Sequence, residues 1–377
     1  MRILQLIQRP QLRGAETFAV QISQHHLRAG HDVLIMALFE HDGALTLETG
    51  EVPIESLSLN ERNRLFDLGG YRKLAQRIRV FQPDIVQANA GDTLKYAVSS
   101  RLIFGWPGQL IFRNANNISS FIRSKIQRAY LYAIIRNVDS VVSVSENCRL
   151  DLIQLFPFLT ARTETITIGT PLRRNTSVIA DDEGIRKNLK VPLNDPILIN
   201  IGSFVPEKNH LGLLRIFSLV RQQTGIGHLI IVGDGKLRPQ IEEKIQDLGL
   251  ASHVSLLGYR NDVPSILNQS DIMVMPSYIE GMPGVILEAM AHEVVVVASN
   301  VGGIGEVVKD NKTGRLISAD DDRQFASAVV DLIEKPQERE KLAGRALDYV
   351  RHNKSIEKIA ELFLSSYSNQ LNTTMHD

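Results

Sequence analysis

Short runs of branched and aliphatic residues recur between longer amphipathic stretches, and the whole recurrence happens twice. RILQLI (2–7), HDVLIMAL (31–38), DIVQAN (84–89), QLIFRN (109–114) and SVVSVS (140–145) make a first series. ILINIG (197–202), HLIIVG (228–233), HVSLLG (253–258), DIMVMP (271–276) and VVVVAS (294–299) make a second. Runs that are apolar almost throughout belong to strands covered on both faces, which parallel sheets with helices on either side provide. Two such series predict an α/β chain of two Rossmann-like domains with a cleft between them. A length of 377 residues agrees, since single cores stop growing at about 250–300 residues.

Between the series lies TPLRRNTSVIADDEGIRKNLKVPLNDP (170–196), polar and punctuated by prolines, the expected linker and first helix of the second domain. The tail carries two helical patterns, DRQFASAVVDLIEK (322–335) and SIEKIAELFLSSYSNQL (355–371). Periodicity alone does not assign the last helix to either domain.

Charge and cysteine content exclude several functions. Lysine plus arginine equals aspartate plus glutamate at 42 each, so no global field draws the chain to nucleic acid, and any anion site must be local. The single cysteine, Cys148, rules out an internal disulfide and a multi-cysteine metal centre, and reads as a small buried hydrophobe. The ten histidines are scattered, and HEVVV (292–296) lacks the second histidine of a zinc motif, so no metal is expected. The N-terminal apolar run is too short for a signal peptide, and no stretch approaches the roughly 18 apolar residues of a spanning helix.

In open parallel sheets ligands bind beyond the carboxyl ends of the strands. PSYIEGMPGVILEAMAHE leaves one such end, turns through Glu280, Gly281 and Met282, and enters a helix near Pro283. The amides of about Gly284, Val285 and Ile286 are then expected to face an anion, which the helix dipole favours. Glu288, one turn on, returns to the same face and suits ribose hydroxyls, while Glu280 suits a sugar. The plainer alternative is a Gly-Pro turn with two solvated glutamates. After ILINIG, Gly202 and SFVPEKNH place Lys208 as a point charge for a diphosphate. After VVVVAS, Gly302 and Gly303 allow close backbone approach before Glu306. In the first half, Gly14 precedes a helix starting near Glu16. Arg113 to Asn117 (RNANN) ends a strand with polar side chains expected to point the same way, or forms a self-satisfied asparagine turn.

Taken together, these segments resemble the retaining glycosyltransferases of family 4, with the GT-B fold. The resemblance is densest over 197–318, where IGSFVPEKNHLGLL, LIIVGDGKLRPQIEEKIQDLGLASHVSLLGYRNDV, DIMVMPSYIEGMPGVILEAMA and VVVVASNVGGIGEVVKDNKTGRLI follow in order. It implies an acceptor domain over 1–172, a donor domain over 173–354, and a last helix from about 355 packing back on the first. It further implies a nucleoside diphosphate sugar donor, a UDP-sugar ahead of a GDP-sugar, and an acceptor hydroxyl on a glycan or lipid-linked glycan in polysaccharide, lipopolysaccharide or glycolipid synthesis. Glu280 matches the catalytic glutamate near the transferred sugar, Glu288 the ribose glutamate, Lys208 the diphosphate lysine, and Gly14 a glycine beside the phosphates or acceptor. Gly202, Gly281, Met282, Pro283, Gly284 and Val285 complete the donor set; Arg113 and Asn116 lie on the acceptor side.

Two positions depart from the family pattern. Ser203 stands where an arginine is usual, with Arg13 a candidate replacement for the lost charge. Asn116 stands where a histidine is common, and asparagine cannot act as a base. These departures keep open a degenerate protein that binds nucleotide sugar or glycan without turnover. The expected location is cytoplasmic, with possible attachment to the cytoplasmic face of the inner membrane. There SFIRSKIQRAYLYAIIR (120–136) would lay Ile122, Ile126, Tyr130 and Ile134 on anionic lipid beside Arg123, Lys125, Arg128 and Arg136. The alternative for that segment is an ordinary surface helix packed on its own sheet.

Overall fold

The computed structural model describes residues 1–40, 49–63, 66–172 and 184–374. The chain divides into two units, Met1–Gly169 with Ile356–Asp377, and Thr170–Ser355. Of the expected linker, 173–183 lies outside the described residues, and its end forms a short helix, Gly184–Asn188.

The first unit holds a parallel sheet of β1 (Arg2–Ile7), β2 (Asp32–Ala37), β3 (Ile54–Ser56), β4 (Ile85–Ala88), β5 (Gln109–Asn114), β6 (Ser140–Ser143) and β7 (Thr163–Thr165), in the order β3-β2-β1-β4-β5-β6-β7. The second holds β8 (Ile197–Ile201), β9 (His228–Val232), β10 (Val254–Gly258), β11 (Ile272–Met275), β12 (Val295–Ser299) and β13 (Arg315–Ile317), in the order β10-β9-β8-β11-β12-β13. All ten apolar runs of the sequence are strands. The three additions, β3, β7 and β13, each have three residues and sit at sheet edges. Three residues with only one covered neighbour carry too little periodicity to stand out.

Each core follows from that pattern. Ile3, Leu4, Leu6, Ile7, Val86, Leu110 and Ile111 are fully buried in the first sheet; Leu229 to Ile231 and Val294 to Val297 are fully buried in the second. In both sheets the strand order reverses direction beside the first strand of the series, at β1/β4 and at β8/β11. Loops leaving such neighbours diverge to opposite faces and leave a crevice at the carboxyl edge.

The last helix, Ile356–Thr374, belongs to the first unit and packs on the helix Gly14–Arg28. Ile359, Ala360, Phe363 and Tyr367 are buried, with Phe363 against Phe18 at 5.8 Å between ring centroids. The Tyr367 hydroxyl donates to Gln87 Oε1 at 2.7 Å and accepts from Gln5 Nε2 at 3.3 Å, so it closes a buried amide cluster that also contains Asn89. Cys148 is buried, as a small hydrophobe would be.

Candidate functional site

In the second unit, the loops leaving β8 and β11 are hydrogen-bonded to each other before they part. After β8 the chain turns through Gly202 and forms a tight turn at Pro206–Lys208, where Asn209 adopts φ 54° and caps the helix His210–Thr224 by accepting from the Gly212 amide. Asn209 also donates to the Pro276 carbonyl at 3.0 Å, and the Tyr278 amide donates to the Glu207 carbonyl at 2.8 Å. These two bonds lock the loop after β8 to the loop after β11. The lock brings Lys208 Nζ to 2.6 Å from Glu280 Oε1. The carboxylate side chain is 6% exposed and the lysine side chain 24%, so the ion pair is recessed with the ammonium on its open side. The aliphatic stem of Lys208 runs over Gly202, whose added Cβ would touch it at 3.7 Å.

A third loop braces the pair. Gly302, at φ 54°, lies so close to the Glu280 carbonyl that a Cβ there would stand 1.7 Å from the oxygen, and the Gly303 amide donates to the Gly281 carbonyl at 2.7 Å. The backbone around Glu280 is therefore held from both sides. Gly281, Met282 and Pro283 are buried.

The helix Gly284–Ala291 starts one residue later than the sequence suggests: Pro283 is its extended N-cap, not its first helical residue. The Ile286 amide is taken by the Pro283 carbonyl at 3.2 Å. The donors left for an anion are thus narrowed to Gly284 and Val285, each half-buried. Glu288 follows one turn on. The residue as a whole is half-buried, burial of its carboxylate pushes its pKa up, and no described residue offers it a hydrogen bond.

His210 was not legible as a site residue. It is 1% exposed, stacks edge-on against Phe204 at 4.7 Å, and neither ring nitrogen has a partner among the described residues. Burial first, and Lys208 second, push its pKa down to about 4. It is neutral at physiological pH, and Lys208 remains the cation of this loop. The motif PEKNH did carry one usable signal, an asparagine immediately before a helical run.

In the first unit, the expected grouping of Arg113 to Asn117 separates. Arg113 is 3% exposed and lies over the Phe18 ring at 4.3 Å; burial lowers its pKa to about 10, while Glu16 and Tyr367 raise it. Its Nε and Nη1 have no partner among the described residues. Asn114 turns inward to Ser143 and the Cys148 carbonyl. Asn116 alone is exposed. The polar side chains do not point one way because successive residues of a strand face opposite sides. Gly14 is the first residue of its helix and exposed; a Cβ there would meet nothing within 4 Å. Nearby Glu16 is buried, holds the Gln11 amide at 3.3 Å, and has its pKa raised by burial.

Comparison with known proteins adds the following. Residues 181–348 match the family described as Glycosyl transferases group 1, and residues 12–174 match Glycosyltransferase Family 4. The chain is 33% identical over 165 residues to the UDP-Gal:alpha-D-GlcNAc-diphosphoundecaprenol alpha-1,3-galactosyltransferase of Escherichia coli, covering 43% of either protein. The match thus spans less than half the length of that relative. It is 26% identical over 372 residues to the amylovoran biosynthesis glycosyltransferase AmsK of Erwinia amylovora, covering 85% of this chain and 88% of that one. Among solved structures, Anabaena Alr3699/HepE in complex with UDP-glucose superposes with a TM-score of 0.85 at 22% identity, over 98% of this chain and all of that one. Sucrose-phosphate synthase from Thermosynechococcus elongatus gives 0.82 at 19% identity, over 99% of each.

Proposed function

Because the chain belongs to the group 1 glycosyl transferases, with a family 4 first half and the GT-B fold, we propose that it moves a sugar from a nucleoside diphosphate sugar to an acceptor hydroxyl. The arrangement that carries this reading is the Lys208–Glu280 pair with the amides of Gly284 and Val285 and the unpartnered Glu288 one turn on. Each element suits one part of such a donor. Lys208 and the helix-start amides meet the diphosphate, Glu288 accepts from the ribose hydroxyls, and Glu280 accepts from the sugar. In the reaction the bond from the anomeric carbon to the diphosphate oxygen breaks and one to the acceptor oxygen forms. The leaving diphosphate oxygen takes the electron pair of the broken bond and then the proton given up by the acceptor hydroxyl, while Lys208 and the amides stabilise its developing charge without a metal. Transfer is with retention of anomeric configuration, as hexosyl transfer in this family is expected to be.

A UDP-sugar is the favoured donor and a GDP-sugar the next. The names of the galactosyltransferase and of the HepE complex, which carry UDP-Gal and UDP-glucose, support that order. A diphosphate-lipid-linked glycan or growing polysaccharide is the proposed acceptor, supported by the names of the same galactosyltransferase and of AmsK. Acceptor contacts fall to the first unit, where Asn116 is the exposed candidate, while Arg113 is buried over Phe18.

The test is thermal stability against nucleoside diphosphates and their sugars, beside a Glu288→Ala variant, followed by donor consumption with a lipid-linked acceptor. A midpoint raised by UDP compounds, reduced in the variant, is expected. A well-folded protein that responds to none of them would overturn the donor assignment. Binding without consumption would point to a degenerate binding protein.

A further inference from the structure

Arg113 is the penultimate residue of β5, paired with Val142 of β6, and its side chain reaches the helix Gly14–Arg28, where the guanidinium carbon lies 4.3 Å from the centre of the Phe18 ring. The residue is 3% exposed. Its Nε and Nη1 donate to nothing among the described residues, and no described carboxylate pairs with it. A guanidinium keeps its charge and its N–H donors at neutral pH, so one withdrawn from water in this way is costly unless something brings it oxygens. The neighbouring acid does not. Glu16, two residues before Phe18, holds the Gln11 amide at 3.3 Å and makes no ion pair.

The start of the helix faces the same group. Gly14 and Phe18 are four residues apart and share one face, and a helical side chain leans back over the turn before it. The Phe18 ring and the guanidinium on it therefore lie toward Gly14. That glycine is exposed, and a Cβ there would meet nothing within 4 Å, so this end of the helix opens on free space. The Thr17 amide donates to the Arg13 carbonyl at 2.8 Å, while the amides of Gly14 and Ala15 have no acceptor among the described residues. Arg13, the N-cap residue, is exposed, caps nothing with its side chain and pairs with no described carboxylate. Free amides at a helix start are common. The buried guanidinium with unused donors one turn away is what distinguishes this one.

We propose that Arg113 and the start of this helix form a phosphate site in the first unit that takes the diphosphate of the acceptor, the guanidinium donating to one set of phosphate oxygens and the Gly14 and Ala15 amides to another. A planar fork of donors beside helix-start amides matches a tetrahedral oxyanion. The donor's diphosphate is assigned above to Lys208, Gly284 and Val285 of the second unit. Naming the acceptor as the source rests on the transfer reading; the phosphate site itself does not.

The full chain, labelled with ¹⁵N-arginine, is titrated with decyl diphosphate and with decyl maltoside, following the Nε–H resonance that Arg113→Met removes. A saturable shift with the diphosphate alone is expected, at an affinity that saturating UDP leaves unchanged. Arg113→Met should weaken binding about ten- to a hundredfold, with a thermal midpoint unchanged or raised, because methionine still covers Phe18 and the unpaired charge is gone. Arg113→Lys should keep part of the affinity, as a charge without the fork. The proposal is overturned by an unmoved resonance, by an equal shift with the maltoside, by displacement of the probe with UDP, which would make the donor the source, or by an Arg113→Met variant that loses stability and keeps affinity. A chain that binds decyl diphosphate at Arg113 and never binds UDP would retain the phosphate site and lose the transfer reading.

Discussion

At the scale of single residues, the decisive contact is the Lys208–Glu280 ion pair. Both residues were singled out from their loops, but their partnership was not, because they are 72 positions apart and neither loop's pattern mentions the other. Lys208→Met should leave a recessed carboxylate with no counterion, lowering stability in denaturant titration by up to about 3 kcal/mol and weakening nucleoside diphosphate binding at least tenfold. Glu280→Gln can keep an oxygen toward Lys208, so it should fold with a smaller loss while sugar transfer falls. Equal stability loss in the two variants would mean that the pair is a structural brace and no more. Arg113 illustrates the opposite limit of reading residues singly: a cation ending a strand looks like a site group, yet its strand register sends it inward onto Phe18.

At the scale of elements, helices and the longer strands were legible, while loop contacts and the three-residue edge strands were not. The NVGG segment signalled flexible backbone, and the structure gives that flexibility a reason: Gly302 is the only kind of residue that can sit against the Glu280 carbonyl at φ 54°. Gly302→Ala should therefore move the Glu280 loop, costing more than about 2 kcal/mol and most of the donor binding. Gly14 makes the contrast. With no atom within 4 Å of its would-be Cβ, Gly14→Ala should change stability by no more than about 0.5 kcal/mol, while raising the KM for donor or acceptor if a ligand passes close to it. Calorimetry of the two variants with steady-state kinetics separates a glycine needed by the fold from one needed by the ligand.

At the scale of the whole molecule, the chain makes two α/β units and then returns its last helix to the first. Tyr367 reports on that return, since its hydroxyl closes the Gln5–Gln87–Asn89 cluster in the first sheet. Tyr367→Phe should cost about 1–3 kcal/mol by orphaning buried amides, and the loss should appear in the unfolding of the first unit alone. The sequence by itself determined the two-sheet α/β plan, the ten longer strands and the segments that bear Lys208, Glu280 and Glu288. Burial on both faces writes itself into consecutive residues, so it can be read locally. Only the tertiary structure decided the three short edge strands, the ion pair, the clash that makes Gly302 obligatory, the burial of Arg113 and the partners that seat the last helix. Each of these is a choice of partner across many residues, and a periodic pattern specifies that a face must be covered without specifying by what.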